Sequence, residues 1–138
     1  MIDLSKKYHF KKFSKEQRSS FRYWFYHWKA YNLVALNLRC WKFKYLFHDI
    51  EKPWLRLFMS YDKVQKFHRR NNAHHLQYKH QNKINWEAMV IDWECSRFTK
   101  EAAPLTARET MIMKIEKDSN YKELLMEHML PILNKFEI

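Results

Sequence analysis

Glycine is absent from this chain of 138 residues, and proline and cysteine are scarce, with three and two copies. Without glycine, tight hairpin turns and phosphate-binding loops lose the residue that allows left-handed backbone and close approach to a phosphate. The absence argues against a β-rich fold and against Rossmann and Walker-type nucleotide sites in their usual form. Helix ends must depend instead on Asn, Ser, Asp and proline.

Long apolar runs are also missing, since no stretch of about 18 uncharged apolar residues exists to span a membrane. The first 12 residues carry charge but are not followed by the apolar segment of a secretory signal. Cys40 and Cys95 lack CxxC spacing, so reduced thiols are the simplest interpretation. We therefore expect a cytoplasmic protein that does not enter a membrane.

What the chain does contain is bulky side chains, with six Trp, eight Tyr, ten Phe and seven Met. A chain of this length forms one domain with a sizeable core. The predicted fold is all-α, a single compact bundle of about six to eight helices over residues 1–138. Residues 1–13 are a candidate for a flexible basic N-terminal segment.

Capping residues and apolar spacing predict where the helices lie. Ser14 to Gln17 and Thr106 to Glu109 both fit the capping-box pattern. Pro53 is expected to end the second helix and Pro131 to kink or shorten the last one. The predicted helices cover approximately residues 14–39, 41–50, 54–60, 62–70, 74–80, 85–98, 106–117 and 119–136.

Positive charge is concentrated in the first part of the chain. Residues 1–80 contain 18 Lys/Arg and 5 Asp/Glu, whereas residues 81–138 contain 8 and 10. This surplus predicts an anionic partner such as a nucleotide, a nucleic acid or another phosphate ester. The alternative is a basic surface that is merely solvated.

Histidine and aspartate recur in an order that suggests a metal site. The candidate ligands are His27, His48, Asp49, His74, His75 and Asp92. Imidazole nitrogens and carboxylate oxygens are the usual ligands of Zn, Mn, Fe and similar ions, and helices of a bundle can bring them together. Each dipeptide alone can occur by chance or at a surface. Asp92, among apolar neighbours, could instead form a core salt bridge with a lysine.

These residues resemble a known superfamily. His48 to Lys52, with His27 before them and Asp92 after them, resembles the HD-domain metal-dependent phosphohydrolases. The segment 68–75 is similar to the HxxxNxHH block of a small HD-like family found in bacteria and their phages. The resemblance spans roughly residues 20–98.

The resemblance implies roles for individual residues. A first metal ion would be held by His27, His48, Asp49 and Asp92. His74 and His75 would hold a second ion or the bridging region, and His68 would be a further ligand or a phosphate contact. The cofactor would be one or two divalent ions, with Mn, Fe, Zn, Mg, Co and Ni not distinguished. Glu51 departs from the glycine of HDxGK members and could narrow the pocket, while His9 competes with His27 as first ligand.

The expected function is hydrolysis of a nucleotide or nucleic-acid phosphate ester by metal-activated water. Asp49, Asp92 and Lys52 would be the catalytic residues. Substrate phosphate would be bound by Lys66, His68, Arg69 and Arg70.

Two other functions compete with hydrolysis. Aromatic residues 21–28 alternate with Arg18, Arg22 and Lys29, a pattern that also suits a nucleic-acid-binding helical protein. An HD fold with a regulatory, non-catalytic metal site is the other option. The oligomeric state stays open, with a homodimer as one option.

Overall fold

The computed structural model describes residues 4–102 and 104–138, and these form a helical bundle without strands. The predicted all-α class is therefore confirmed for the described residues, which contain eight α-helices and four short 3₁₀-helices. The α-helices are α1 Leu4–Lys7, α2 Phe21–Asn37, α3 Glu51–Leu55, α4 Tyr61–Asn71, α5 Trp86–Ser96, α6 Ala107–Lys117, α7 Lys122–His128 and α8 Leu130–Lys135. The 3₁₀-helices are Glu16–Ser19, Phe43–Phe47, Gln81–Lys83 and Ser119–Tyr121. None of the described helices is long and apolar enough to cross a membrane.

Helices α2 and α5 form the central pair of the bundle. Small residues such as Ala30, Ala35 and Ala88 are buried between them and let the two backbones approach closely. Tyr31 and Ile91 fill the remaining space and are almost completely buried. Further along, α5 also packs against α6 and α8, whose buried residues are apolar. The α2–α5 pair thus contributes to the first apolar cluster, and α5 also contributes to a second apolar core with α6 and α8.

Three predicted helices agree closely with the structure because their start signals are local. The Asn85 side chain accepts the Ala88 N–H at 3.0 Å at the start of α5. Thr106 and Glu109 form the predicted capping box at the start of α6. Helix α4 spans almost the predicted range and ends before Asn72.

Other boundaries differ from the prediction. The helix expected to begin at Ser14 begins at Phe21, because Ser20 caps it by accepting the Tyr23 N–H at 3.1 Å. Pro53 lies inside α3, where a missing N–H in the first turn costs nothing. The segment predicted as a helix over residues 74–80 is a series of turns. The last predicted helix begins as the 3₁₀-helix Ser119–Tyr121 and is then divided at Met129 into α7 and α8.

The N-terminal segment, predicted as a candidate flexible region, contacts the bundle at some of its apolar residues. Its first three residues lie outside the described part of the chain, but Leu4 and Phe13 are buried. Phe13 is paired with the backbone of the 99–101 segment, since its N–H donates to Thr99 at 2.8 Å and its carbonyl accepts from Glu101 at 3.1 Å. Residues 4–13 are therefore packed on the bundle.

Candidate metal centre

Four predicted ligands from three segments converge in the interior. Nε2 of His27 lies 3.0 Å from Oδ1 of Asp92 and 3.2 Å from Nε2 of His48. His48 Nε2 is 3.2 Å from the same Asp92 oxygen, and Oδ2 of Asp49 lies 3.5 Å from His48 and 3.7 Å from His27. Ligand atoms that share one ion at about 2.0–2.2 Å must lie about 3 Å or slightly more from one another. This geometry suits a single divalent ion.

The second carboxylate oxygen of Asp49 faces another set of histidines. Its Oδ1 lies 3.0 Å from His68 Nε2 and 3.1 Å from His74 Nε2. The His75 ring adjoins both, with ring centroids 4.7 Å from His68 and 4.3 Å from His74. Nitrogens of these three histidines lie within 4.8 Å of one another. Asp49 therefore lies between two groups of ligand atoms.

Four atoms of this second group are buried without a hydrogen-bond partner. They are Oδ1 of Asp49 and Nε2 of His68, His74 and His75. Asp49 is within ion-pair distance of two of the histidines, yet the atoms do not meet as donor and acceptor. Buried polar atoms without partners are costly and uncommon, and a bound cation is one way to satisfy them. The donor set of imidazole and carboxylate therefore fits a divalent metal ion.

A left-handed backbone at Asp49 turns two adjacent side chains toward this interior. Asp49 has φ of 55°, a conformation that aspartate tolerates better than most residues. Its carbonyl accepts the Trp24 indole N–H at 2.9 Å and the Lys52 N–H at 3.1 Å. Hydrogen bonds from α2 and α3 thus hold the turn at Asp49, and the side chains of His48 and Asp49 both point into the histidine and aspartate cluster.

Aromatic packing orients the first two histidines. The His48 ring stacks on Tyr31, with centroids 3.6 Å apart and planes 9° from parallel. The His27 ring stacks on Tyr23 at 5.7 Å. These rings leave the Nε2 atoms directed toward Asp92. Their fixed orientation lowers the cost of organising a site when a ligand binds.

His68 is oriented by a carboxylate on its outer side. Its Nδ1 forms a short hydrogen bond with Glu51, which also accepts from the Asn72 amide at 3.0 Å. A histidine that donates Nδ1–H to a carboxylate presents the lone pair of Nε2, the arrangement common around metal-bound histidines. Glu51, expected to narrow a pocket, instead positions a histidine of the cluster.

Burial and neighbouring charges set the protonation of the cluster. Burial lowers the pKa of His48 to about 4 and, together with His74, that of His75 to about 2, so both rings are neutral. Burial acts to raise the pKa of Asp92, but hydrogen bonds from His27 and His48 hold it well below the usual value. Burial likewise opposes ionisation of Asp49, yet His48, Lys52 and His68 keep its pKa low. Neutral imidazoles and ionised carboxylates are the forms that bind metal. His68 differs, because burial acts to lower its pKa but Asp49 and Glu51 raise it overall, so its Nε2 would have to lose a proton when an ion binds.

The predicted phosphate contacts are only partly near the cluster. His68 is fully buried beside Asp49, which favours the ligand role over the phosphate contact among its two predicted roles. Lys66 and Arg70 are exposed on α4 and line none of the three cavities described below, because they lie off the helix face that carries His68. Arg69 lines one cavity, and Lys52 lies 2.8 Å from Asp49 Oδ2.

Three cavities reach the cluster from different sides. The first, about 290 Å³, reaches His27 and Asp49, with Lys52, Arg18 and Arg56 among its lining residues. The second, about 220 Å³, reaches His48, Asp49 and His74. The third, about 230 Å³, reaches His75 and Asp92. The first combines cations with an apolar wall formed by Phe21, Trp24, Pro53, Leu57 and Val64.

Several site residues were not predicted from the sequence. Arg18 and Arg56 enter the first cavity, and Lys100 lines the third beside Asp92. Burial lowers the pKa of Lys100 while Asp92 acts in the opposite direction. Asn72 supports Glu51, and the asparagine of the HxxxNxHH block was the one available signal for it. Arg18 belongs to the aromatic-basic pattern that suited nucleic-acid binding, but no local pattern linked it to the metal cluster, and Arg56 and Lys100 are brought in by contacts between distant segments.

Comparisons with known proteins identify no relative of the chain. No protein-family model, no curated protein and no solved structure matches it. The HD resemblance therefore stays a prediction, and the geometry of the cluster carries the functional argument.

Proposed function

We propose that the protein is a metal-dependent phosphohydrolase with two adjacent ion sites. The observation that carries the proposal is the Asp49 carboxylate, whose two oxygens face two separate groups of buried ligand atoms. Dinuclear centres of hydrolases use such shared carboxylates to keep two ions close together.

The residues divide between the two positions as follows. His27, His48, Asp92 and Oδ2 of Asp49 would hold one ion, and His68, His74, His75 and Oδ1 of Asp49 the other. When bound, divalent ions of this kind supply a water of lowered pKa and polarise a phosphoryl oxygen. The low pKa values of Asp49 and Asp92 suit ligands that hold and orient, rather than bases that store a proton.

Cationic side chains of the first cavity would bind the substrate phosphate. Lys52 Nζ lies 2.8 Å from Asp49 and is directed into the same cavity as Arg18 and Arg56. Arginine can contact two phosphate oxygens at once, whereas lysine supplies a compact charge. We assign Lys52 to the phosphoryl group that reacts and the two arginines to its positioning.

The shape of the first cavity supports a nucleotide or nucleic-acid phosphate ester. Its volume of about 290 Å³ and its aromatic wall, including Phe21 and Trp24, suit a planar ring attached to a phosphate. Aromatic side chains stack on nucleobases with little dependence on sequence.

The test combines metal analysis with an activity screen. Purified protein should contain divalent metal and hydrolyse at least one member of a nucleotide and phosphodiester panel. Lys52→Gln should retain its metal and lose about a hundredfold in turnover, whereas Lys63→Gln, exposed on α4, should retain activity.

Two results would point elsewhere. Bound metal without activity across the panel would favour a regulatory metal site. Metal-free protein that binds oligonucleotides with steep salt dependence would favour the nucleic-acid-binding alternative.

A further inference from the structure

Large apolar side chains are exposed along one segment of the molecule. We call Phe43, Phe47, Ile50, Trp54, Leu57 and Phe58 the apolar face. Their exposed fractions run from 41% for Ile50 to 86% for Phe58. Six of the thirteen large apolar side chains that are exposed among the described residues belong to this face, and the others are Phe21, Phe25, Leu36, Trp41, Phe67, Ile112 and Met126. An apolar surface concentrated in this way marks an interaction site.

The apolar face occupies one short segment of the chain and is firmly attached to the bundle. From Phe43 to Leu57 its members follow one another at spacings of three or four residues, and Phe58 directly follows Leu57. They lie on the second 3₁₀-helix, on α3 and on the residues that flank α3. The Phe43 and Phe47 rings contact each other at 5.8 Å. The indole N–H groups of Trp24 and Trp28 donate to the backbone at Asp49 and Leu46, at 2.9 and 2.8 Å. The face is therefore a built surface and not a loose loop.

The segment that carries this face is mainly basic, although Glu87 from α5 forms an ion pair with Lys42 at 3.1 Å. Residues 17–60 contain eight Lys/Arg and only two Asp/Glu, Asp49 and Glu51. Asp49 is buried among the histidines and Lys52, and Glu51 is engaged with His68 and Asn72. Lys44 and Arg56 lie within the face and are exposed. No exposed carboxylate in this stretch offsets their charge.

We propose that the apolar face docks the protein on an anionic lipid bilayer. Exposed Phe, Trp and Leu side chains would enter the boundary between headgroups and acyl chains, while Lys and Arg contact anionic headgroups. This mode of binding needs no spanning helix, but it departs from the expectation, drawn from the sequence, that the protein does not enter a membrane.

Other occupants fit the face less well. A second copy of the chain would bring like charges together. The bases of a single-stranded nucleic acid could stack on the aromatic rings of the face. The aliphatic side chains of Ile50 and Leu57 offer no ring for stacking, although Leu57 is 71% exposed. An anionic bilayer accommodates aromatic, aliphatic and cationic side chains together. The proposal is independent of the metal centre, because no ligand residue belongs to the face.

Vesicle sedimentation with the full-length protein tests the proposal. The probes are vesicles of phosphatidylcholine alone and of equal parts phosphatidylcholine and phosphatidylglycerol. The protein should bind the anionic vesicles roughly tenfold or more tightly than the neutral ones, and added salt should weaken binding. Trp54 is 67% exposed, so tryptophan emission should shift to the blue on binding, and Trp54→Phe should reduce the shift.

Matched variants separate the apolar and charged contributions. Leu57→Ser with Phe58→Ser should weaken vesicle binding roughly tenfold or more, while Ile112→Ser with Met126→Ser should leave it unchanged. Lys44→Gln with Arg56→Gln should weaken it about thirtyfold, while Lys117→Gln with Lys122→Gln should leave it unchanged. Circular dichroism melting checks that each variant folds, and the Trp54→Phe emission comparison provides the test if a serine variant does not.

Three results would overturn the proposal. The first is absence of binding to anionic vesicles, or equal binding to both vesicle types. The second is vesicle binding that survives the Leu57 and Phe58 changes. The third is binding of a different partner to the face in place of vesicles, with that binding abolished by the same substitutions. Fluorescence anisotropy would detect an oligonucleotide, and sedimentation velocity would detect a second copy of the chain.

Discussion

The cluster region and the C-terminal core are both buried, but they satisfy their buried atoms differently. The C-terminal core, where α6 to α8 pack on α5, is filled with apolar side chains such as Met111, Leu125, Met129 and Leu133, all almost fully buried. No described side chain after residue 104 has a buried polar atom without a hydrogen-bond partner. The cluster region has four, on Asp49, His68, His74 and His75.

The C-terminal core is satisfied by packing, whereas the cluster region groups four buried polar atoms that a bound cation would satisfy; single atoms without a partner also occur on Glu94 and Thr99, near and just after the end of α5. Apolar packing needs no outside partner, because burial itself is favourable. Buried imidazoles and carboxylates without partners are unfavourable unless something binds them. A ligand that binds only the folded state would stabilise the cluster region, whereas the C-terminal core gains nothing directly.

The largest expected effect comes from removing the shared carboxylate. Asp49→Ala should abolish binding at both ion positions, because each group would lose an oxygen ligand. Elemental analysis of the purified variant measures the loss, and Asp62→Ala, exposed on α4, is the control. Full metal content in Asp49→Ala would contradict the conclusion that the cluster region, unlike the C-terminal core, binds an ion through Asp49.

Single histidine variants sharpen the comparison within the cluster region. His27→Ala should lose one ion and His74→Ala the other, because the two residues belong to different ligand groups. Metal-to-protein stoichiometry should fall to about half in each case. His9→Ala should change nothing, since His9 is exposed and outside both groups. Complete loss of metal from either variant would indicate a single, inseparable site.

The C-terminal core should respond in stability and not in metal content. Leu125 is fully buried, so Leu125→Ala should lower the free energy of unfolding by about 3 kcal/mol through lost packing and a cavity. Denaturant unfolding measures the change, and Met126→Ala on the same helix, 42% exposed, is the control. Metal loss in folded Leu125→Ala protein would show that the two regions are coupled.

A smaller effect should follow from loosening a ligand without removing it. Glu51→Gln should weaken metal affinity by about ten- to a hundredfold, because the His68 ring would lose its charged hydrogen-bond partner. Competition with a chromophoric chelator measures the affinity. Glu116→Gln, exposed on α6, should bind metal as the unchanged protein does.

The smallest effect tests a helix end far from the cluster. Thr106→Ala should lower the free energy of unfolding by about 1 kcal/mol, because the Glu109 N–H would lose its acceptor. Thr106→Ser keeps the hydroxyl and should restore most of the stability. Thermal unfolding of both variants gives the measurement, and equal losses would mean that the cap contributes little.

Sequence predicted best the elements whose signals are local. Asn85 and the Thr106 capping box marked helix starts because each cap bonds a residue three positions away. The six candidate metal ligands were found by residue type and order, and the structure brings them together around Asp49. Their actual occupancy by metal is still a prediction.

Other parts of the site depend on contacts that sequence spacing does not reveal. Arg18 and Arg56 reach one cavity from different helical segments, and Lys100 reaches another through pairing of its neighbours with Phe13. The predicted phosphate role of Lys66 and Arg70 stays a prediction; residues two positions from His68 on a helix face away from it, so neither lines a cavity at the cluster.

A chain without glycine must place ordinary residues wherever the backbone becomes left-handed. The structure has three such positions among its described residues, Arg39, Asp49 and Glu137. Glycine at Arg39 or Glu137 would relieve steric strain and stabilise the protein by about 1 kcal/mol. At Asp49 the same relief would remove the carboxylate between the two ligand groups. If the proposed ion sites are real, this one position exchanges stability for ligand binding, and directed evolution for thermal resistance should accept glycine at 39 and 137 while selection for metal binding rejects it at 49.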